Sequence, residues 1–272
     1  MNILVIGAGN MGLAYAKAIA KSELLSKNPL LILDNSAEIT EELKKVKRFE
    51  VHTELASCIP KADVIFIAVK PYHSEALMSD LKPYLNEGQL AISIMAGITI
   101  QSLQEGLGIK KVLRAMPNLP AQVGKGLTSF TASKEVSRLE LSLVKKLLET
   151  TGKALYLDTE KGIDASTGIS GSGPAYVFYF MQSMMEAAKK MGFSDNNSKV
   201  LVQQTFEGAI ELFNQSDLSP MSWMNKVASK GGTTRAALDS MEDNNVRDLI
   251  QEAAFAAFER AIELGKELEL QD

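Results

Sequence analysis

The chain has 272 residues, of which 46% are hydrophobic and 23% charged, and at roughly 150 residues per domain this length predicts about two globular domains. Its net charge of −4 gives no support for a nucleic-acid groove or for an anionic membrane surface as a partner. The single cysteine, Cys58, excludes an internal disulfide framework and fits a reducing cytosol. No basic leader precedes the first apolar run, and no apolar run is long enough to span a bilayer, so a soluble cytoplasmic protein is predicted.

Up to about Glu160, short apolar runs alternate with stretches that have helical spacing. The runs are rich in β-branched residues and do not alternate with polar ones, which predicts strands buried on both faces of a parallel sheet covered by helices. The predicted strands are residues 3–7, 30–33, 64–69, 90–94, 111–116, 126–131 and 154–157. The predicted helices between them are residues 11–21, 37–46 and 134–149.

After about Gly162 the pattern changes, and no convincing strand is predicted. Long helical patterns cover residues 174–191, 196–213 and 246–264, and the last is rich in alanine, which allows close approach of helices. The predicted fold class is therefore α/β, with a parallel-sheet domain over residues 1–161 followed by an all-helical domain over residues 162–272.

The motif GAGNMG at residues 7–12 has the form GxGxxG, follows the first predicted strand and opens a helix. In this setting the first glycine makes a tight turn, the second lets a pyrophosphate approach the backbone, and the third lets helix and strand pack closely. This predicts a Rossmann-type dinucleotide-binding domain, and a glycine turn without a ligand is the alternative. The predicted cofactor-binding residues of this motif are Ile6, Gly7, Ala8, Gly9, Asn10, Met11 and Gly12.

Asp34 ends the second predicted strand, 22 residues after Gly12, where an acid accepts hydrogen bonds from the adenosine ribose. A carboxylate there also repels a 2′-phosphate, and no arginine follows it directly. Asp34 therefore favours NADH over NADPH. The alternative is that Asp34 only caps the turn into the next helix.

Three further strand ends carry turn-forming residues. In an open parallel sheet, ligands bind beyond the carboxyl ends of the strands, so these segments together predict one rim of a cofactor cleft. Each segment alone is also compatible with an ordinary loop. The predicted cofactor-binding residues of this rim are Ala68, Val69, Lys70, Pro71, Ala96, Gly97 and Asn118.

Five motifs, GAGNMG, AVKP, RAMPN, SGSGPAYVF and SKGGTTRAALDSME, occur in that order across almost the whole chain. In these motifs the chain resembles the pyrroline-5-carboxylate reductase family. The resemblance implies a Rossmann domain followed by an all-helical dimerisation and substrate-binding domain. It implies hydride transfer from NADPH or NADH to the C=N bond of 1-pyrroline-5-carboxylate, which gives L-proline in the last step of proline biosynthesis. It also implies helical domains that interlock between two subunits, and dimers that assemble into rings of five dimers.

The SKGGTT turn lies at the start of a predicted helix in the second domain. A Gly-Gly turn at a helix N-terminus directs unpaired N–H groups toward one point, which suits a carboxylate. With the resemblance, Ser229, Gly231, Gly232 and Thr233 are predicted to bind the substrate carboxylate. Thr234 is predicted to bind the substrate at its ring nitrogen and to act in catalysis. A helix start capped by threonine is the alternative.

The SGSGPAY stretch opens the first long helix of the second domain, and Pro174 fits its first turn. Ser172 is predicted to lie beside the reacting ring as a second catalytic candidate, and a capped helix start is the alternative. Hydride transfer to a protonated imine needs mainly alignment and a dry site. No metal is predicted, because His52 and His73 do not belong to a cluster with ligand spacing.

Two positions depart from the family pattern. Lys230 stands where the family usually has proline, which removes a fixed φ and places a cation beside the predicted carboxylate site. Leu55 stands where the family often has an asparagine that faces the adenosine ribose and its 2′-phosphate. Together with Asp34, Leu55 favours NADH.

Two other functions remain open at this point. A β-hydroxyacid dehydrogenase shares the opening glycine motif, but Val177 occupies the position where that family carries its catalytic lysine. A non-catalytic NAD(P)-sensing protein would bind the cofactor without turnover.

Overall fold

The computed structural model describes residues 1–25 and 28–269. Its strands are β1 (Ile3–Ile6), β2 (Leu30–Leu33), β3 (Phe49–His52), β4 (Val64–Ile67), β5 (Leu90–Ser93), β6 (Val112–Pro117), β7 (Gly126–Ala132) and β8 (Gly152–Tyr156). They form one sheet in the order β3-β2-β1-β4-β5-β6-β7-β8. All neighbouring strands are parallel except β6 and β7, which are antiparallel.

The helices that accompany the sheet are α1 (Asn10–Lys21), α2 (Ala37–Leu43), α3 (Leu55–Cys58), α4 (Ser74–Leu81), α5 (Ile100–Leu107), α6 (Arg138–Glu149) and α7 (Glu160–Ser166). A short π-helical segment, Thr167–Gly171, follows α7 directly and is called the π-turn below. The remaining helices are α8 (Gly173–Lys190), α9 (Asp195–Asn214), α10 (Pro220–Val227), α11 (Thr233–Asp243) and α12 (Val246–Glu269). No helix in the described part of the chain is both long and apolar enough to cross a membrane.

The predicted α/β fold class is confirmed, and each predicted strand and helix has its counterpart in the structure. The strand β3 was not among the predicted elements, because its sequence FEVH places two titratable side chains in four residues. The prediction of a parallel sheet is wrong at one pair, β6 and β7. The short connection between these two strands contains only a 3₁₀ turn, Leu119–Val123. A parallel pair needs a crossover of a dozen or more residues, so the chain turns back here instead.

The core lies on both faces of the sheet, as unalternated apolar strands require. In β1, Ile3 and Val5 pack on one face with α1, whereas Leu4 and Ile6 pack on the other face with α4 and α5. All four side chains are buried. This double burial fixes the carboxyl end of β1, from which the glycine motif continues.

The chain divides into two compact units. The first unit comprises residues 1–172 together with the part of α12 that begins at Ala256, and the second comprises residues 173–255. The predicted domain boundary after residue 161 falls inside α7, and it stays a prediction.

The second unit buries few of its own side chains. In α8 to α11, only Ser198 and Val202 are buried. Large apolar side chains are exposed instead, among them Phe178 at 60% and Tyr179 at 74%. Soluble proteins rarely expose apolar patches of this kind unless the patch contacts another surface.

Candidate active site

The glycine motif forms a tight turn between β1 and α1. Gly7 has φ +89°, a left-handed conformation that glycine adopts readily, and its N–H donates to the Leu33 carbonyl at 2.9 Å. A Cβ on Gly12 would lie 2.0 Å from the Gly7 carbonyl oxygen and 2.9 Å from Ala68 Cβ. Gly12 therefore allows the close packing of α1 on the ends of β1 and β4.

Gly9 has a different role, because a Cβ there would meet no atom within 4 Å. It is the N-cap residue of α1, and no side chain caps the helix. The first amides of α1 therefore face open space in front of Gly9. A helix N-terminus of this kind attracts an anion through its free N–H groups and its dipole.

A pocket of about 370 Å³ lies beside this turn, and its lining includes the polar or titratable side chains of Asp34, Asn35, Thr53, His73 and Asp80 together with Leu55 and other apolar residues. None of the residues that the structure places around this pocket is lysine or arginine. The pocket is therefore acidic on two of its walls, one at the end of β2 and one on α4.

The carboxylate of Asp34 is held by two backbone amides. Its Oδ2 accepts a hydrogen bond from Ala8 N–H at 2.7 Å, and its Oδ1 accepts one from Ser36 N–H at 2.9 Å. Asp34 thus touches the glycine turn directly. A carboxylate has about four acceptor sites, so each oxygen keeps capacity for a further donor.

The predicted rim residues lie at one edge of the sheet. The strands β1, β4, β5 and β6 are neighbours and parallel, so their carboxyl ends meet at that edge. Ala68 N–H donates to the Ile6 carbonyl at 2.8 Å, and Val69 lines the pocket. Lys70 is exposed ahead of the 3₁₀ turn Pro71–His73. Ala96 and Gly97 (φ +80°) follow β5.

Asn118 follows β6 at the same edge, but its side chain is engaged by protein groups. Its Oδ1 accepts from Leu127 N–H at 2.9 Å, and its Nδ2 donates to both the carbonyl and the Oγ of Ser170 at 3.1 Å each. Both hydrogen bonds that the Asn118 side chain donates therefore go to Ser170.

The predicted carboxylate site lies in the second unit, at the turn into α11. Gly231 has φ +72°, and Gly232 is the N-cap residue of α11, with no side chain capping the helix. Gly232 N–H donates to the Ser229 carbonyl at 3.1 Å. Ser229, Lys230 and Gly231 are exposed, so the uncapped helix start is open to a ligand.

Thr233 and Thr234 begin α11 and differ in their surroundings. Thr233 is exposed, whereas Thr234 borders an apolar groove of about 550 Å³ between α9, α10 and α11. Other residues around this groove include Ile210, Phe213 and Trp223. Ser172, the other catalytic candidate, directly follows the π-turn, and its N–H donates to the Thr167 carbonyl at 2.9 Å.

A partly buried ionic cluster in the first unit was not predicted from the sequence. Arg114 on β6 has a side chain only 6% exposed. Its Nη1 lies 3.2 Å from Glu160 Oε1, and its Nη2 lies 2.6 Å from Asp164 Oδ1. Glu160 Oε1 also accepts Ile100 N–H at 3.0 Å. The signal in the sequence was a single arginine in the otherwise apolar strand VLRAMP.

Several residues of the acidic pocket were not predicted either, among them His73 and Asp80. They lie seven residues apart, and with Ala76 and Leu77 they have the i, i+3, i+4, i+7 spacing of one helix face. The helix α4 was not predicted, so this spacing was not used.

The single cysteine, Cys58, is a buried free thiol. Burial raises the pKa of the Cys58 thiol, whose Sγ lies 3.6 Å from the carbonyls of Glu54 and Leu55. A thiol of this kind is a poor nucleophile. The described residues contain no group of three or more His, Cys, Asp or Glu side chains that could hold a metal ion.

Two family models match the chain. Residues 160–264 match the model for pyrroline-5-carboxylate reductase dimerisation. Residues 2–97 match the model described as NADP oxidoreductase, coenzyme F420-dependent. The first matched segment, residues 160–264, contains the SKGGTT turn, and the second, residues 2–97, contains the glycine turn.

Similar proteins span nearly the whole chain. The pyrroline-5-carboxylate reductase of Pseudomonas aeruginosa is 35% identical, with 98% of this chain and 97% of that protein covered. Pyrroline-5-carboxylate reductase 2 of Bacillus subtilis is 33% identical, with 96% and 94% covered. The crystal structure of the Plasmodium falciparum pyrroline carboxylate reductase with NADP bound is 32% identical and has a TM-score of 0.86 over 97% of this chain and 98% of that one. The resemblance carried by the five motifs is confirmed, and the chain belongs to the pyrroline-5-carboxylate reductase family.

Proposed function

We propose that this chain is an NAD(P)H-dependent pyrroline-5-carboxylate reductase, which reduces 1-pyrroline-5-carboxylate to L-proline in the last step of proline biosynthesis. The observation that carries the proposal is the open, uncapped helix start in front of Gly9, in a chain that matches such reductases over nearly its whole length. When bound, the reduced nicotinamide supplies a hydride. The hydride forms the new C–H bond at the imine carbon, and the electron pair of the C=N bond moves to the protonated nitrogen, which becomes the amine.

The amides of the glycine turn hold the cofactor pyrophosphate, and Asp34 accepts hydrogen bonds from the adenosine ribose. NADH is the preferred cofactor. The support for this preference is that both charged walls of the pocket, Asp34 and Asp80, are acidic, and that Leu55 offers no polar group to a 2′-phosphate. A 2′-phosphate would lie beside two carboxylates without a cation in the lining to neutralise it.

The substrate carboxylate binds at the SKGGTT turn, where Ser229, Gly231, Gly232 and Thr233 supply donors at the start of α11. The exposed Lys230 adds a cation beside this site. Thr234 hydrogen-bonds the ring nitrogen, and Ser172 lies beside the reacting ring. These side chains orient the imine and exclude water, which is most of what hydride transfer requires.

The protein acts as a dimer through residues 162–272, and the dimers assemble further into a pentamer of dimers. The support for dimerisation is the match of residues 160–264 to a dimerisation model, together with the exposed apolar side chains of α8 and α9. Equilibrium sedimentation tests this assembly: a species of ten protomers supports the pentamer of dimers, a two-protomer species supports the dimer alone, and a monomer refutes both. The enzyme works in the reducing cytoplasm, where the buried thiol of Cys58 stays reduced.

The direct test follows the absorbance of the reduced nicotinamide with purified protein and L-pyrroline-5-carboxylate, in parallel with NADH and NADPH. Substrate-dependent oxidation, faster in kcat/KM with NADH, is the expected result. Binding of the cofactor without oxidation would overturn the reductase assignment and favour a sensing role or another cyclic imine. Faster oxidation with NADPH would refute the cofactor preference alone.

Replacement of Asp34 by asparagine is expected to lower the ratio of kcat/KM for NADH to that for NADPH by about tenfold, because it removes a charge that repels the 2′-phosphate at short range. Steady-state kinetics with both cofactors measure this ratio. Glu38→Gln is the matched control, since Glu38 is an exposed acid in the first turn of α2 that does not line the pocket. An unchanged ratio in Asp34→Asn would show that Asp34 does not set the preference.

Replacement of Thr234 by valine is expected to lower kcat by about tenfold, the effect of one lost hydrogen bond to the reacting nitrogen. The dissociation constant for NADH should stay unchanged. Thr234→Ser keeps the hydroxyl and should restore most of kcat. If serine and valine behave alike, the side chain of Thr234 serves the apolar groove rather than the substrate.

A further inference from the structure

The π-turn, Thr167–Gly171, is an unusual segment for which the proposed function gives no reason. π-Helical residues make up well under about 1% of residues in globular proteins and recur at functional sites. Thr167 Oγ1 donates to the Ile163 carbonyl at 2.9 Å, and Gly168 is buried. Ile169 is 68% exposed, so the π-turn depends on specific contacts rather than on apolar burial alone.

Three tethers connect α7 and the π-turn to the sheet. Arg114 forms the first, with Glu160 at the start of α7 and Asp164 one turn further along it. The second joins Ser129 Oγ on β7 to Ser166 Oγ at 2.5 Å. The third is formed by hydrogen bonds from Asn118 Nδ2 to Ser170 at 3.1 Å. The tethers follow α7 along its length, and the third lies at the carboxyl end of β6.

The side-chain amide of Asn118 forms hydrogen bonds both to β7 and to the π-turn. Its Oδ1 accepts a hydrogen bond from the N–H of Leu127 on β7, and its Nδ2 donates two hydrogen bonds to Ser170. Asparagine is suited to this position because it combines one acceptor with two donors in a single plane. Beside it, Met116 Cε lies 3.4 Å from the place where a Cβ on Gly171 would sit. The end of β6 thus holds Ser170 by hydrogen bonds, with the Met116 side chain near Gly171.

We propose that Asn118 is a positioning residue, which fixes the Ser170–Gly171 turn at the carboxyl edge of the sheet and acts through Ser170 rather than by touching the cofactor. The proposal rests on the proposed function, because that edge is where the nicotinamide must meet the imine. The next residue, Ser172, is a candidate for contact with the reacting ring. A displacement of about 1 Å at a reacting centre can lower the rate by up to about a hundredfold, so loss of the Asn118–Ser170 contact is expected to lower kcat.

The test uses Asn118→Asp, Ser170→Ala and the double variant. Aspartate keeps the acceptor for Leu127 N–H but loses both donors and places a carboxylate against the Ser170 carbonyl. We expect kcat to fall by about tenfold in Asn118→Asp, with the dissociation constant for NADH within about twofold of the parent value. Ser170→Ala should lower kcat less, because the donation to the Ser170 carbonyl remains. The double variant should match Asn118→Asp, since both changes break the same contact.

Asn86→Asp is the matched control. Asn86 lies in the same unit, and its Oδ1 likewise accepts a backbone N–H, that of Gly88, at 3.0 Å. This variant introduces the same charge away from the rim and should keep the parent kcat.

Amide hydrogen exchange gives a readout independent of turnover. We expect the amides of residues 168–172 to exchange faster in Asn118→Asp than in the parent protein or in Asn86→Asp. A weaker affinity for NADH, with additive effects of Asn118→Asp and Ser170→Ala, would overturn the proposal in favour of direct cofactor contact. Unchanged exchange and unchanged kcat would overturn it as well. A parent protein that binds NADH but reduces no imine would refute the proposed function, and the exchange measurement would still decide whether the tether holds the turn.

Discussion

Replacement of Gly12 by alanine is expected to weaken NADH binding by at least about a hundredfold, or ~2.7 kcal/mol. The new Cβ would lie 2.0 Å from the Gly7 carbonyl oxygen, which is backbone and cannot rotate away, and 2.9 Å from Ala68 Cβ. The start of α1 would have to move off the ends of β1 and β4, and the amides that we propose bind the pyrophosphate would move with it. Fluorescence titration with NADH measures the loss, and urea unfolding should show reduced stability.

Gly9→Ala separates the packing function of the glycine motif from its proposed function in cofactor binding. A Cβ at Gly9 meets no protein atom, so the free energy of unfolding should stay within about 0.5 kcal/mol of the parent value, whereas NADH binding should still weaken because the methyl group occupies the approach to the amides. Tight NADH binding by Gly12→Ala would contradict the close packing of α1, and tight binding by Gly9→Ala would place the pyrophosphate elsewhere.

Replacement of Arg114 by alanine is expected to lower the free energy of unfolding by about 2–3 kcal/mol, less than the loss from a fully buried ion pair because the Glu160 and Asp164 side chains are partly exposed. Arg114 is 6% exposed, and its removal leaves Glu160 and Asp164 facing each other without a cation. Urea denaturation at a fixed protein concentration measures the loss, because oligomer stability depends on concentration.

The exposed pair Lys145–Glu149, at 3.8 Å, provides the control for this measurement. Lys145→Ala should change the free energy of unfolding by less than about 1 kcal/mol, since exposed ion pairs contribute little. A loss below about 1 kcal/mol in Arg114→Ala would mean that water replaces the guanidinium and that the cluster does not hold α7 in place.

The sequence predicted those parts of the fold that depend on local patterns. Unalternated apolar runs such as VIFI predict strands buried on both faces, and the six residues of the glycine motif predict the turn that follows the first strand. The strand β3 was missed because it is short and carries Glu50 and His52. The strands β6 and β7 are antiparallel because their connection is too short for a crossover. Hydrophobic periodicity predicts the strands themselves but not their relative direction.

The parts of the site that escaped prediction depend on contacts between distant segments. Arg114 meets Glu160 and Asp164 at separations of 46 and 50 residues, and Asn118 meets Ser170 at 52. No spacing rule connects such positions, because only the folded sheet brings them together. Asp80 reaches the acidic pocket beside the glycine turn through the orientation of α4, which packing on the sheet decides.

The bond from Ala8 N–H to Asp34 has a practical consequence for protein engineering. A designer who wished to raise the activity with NADPH would begin by removing the acid at position 34, often in favour of a long basic side chain. That exchange would also remove the acceptor that holds the glycine turn, so gains at the 2′-phosphate would be offset by a looser pyrophosphate site. Short neutral residues that still accept a hydrogen bond, such as serine or asparagine, are the practical starting points, and the positive charge is better introduced across the pocket at Asp80.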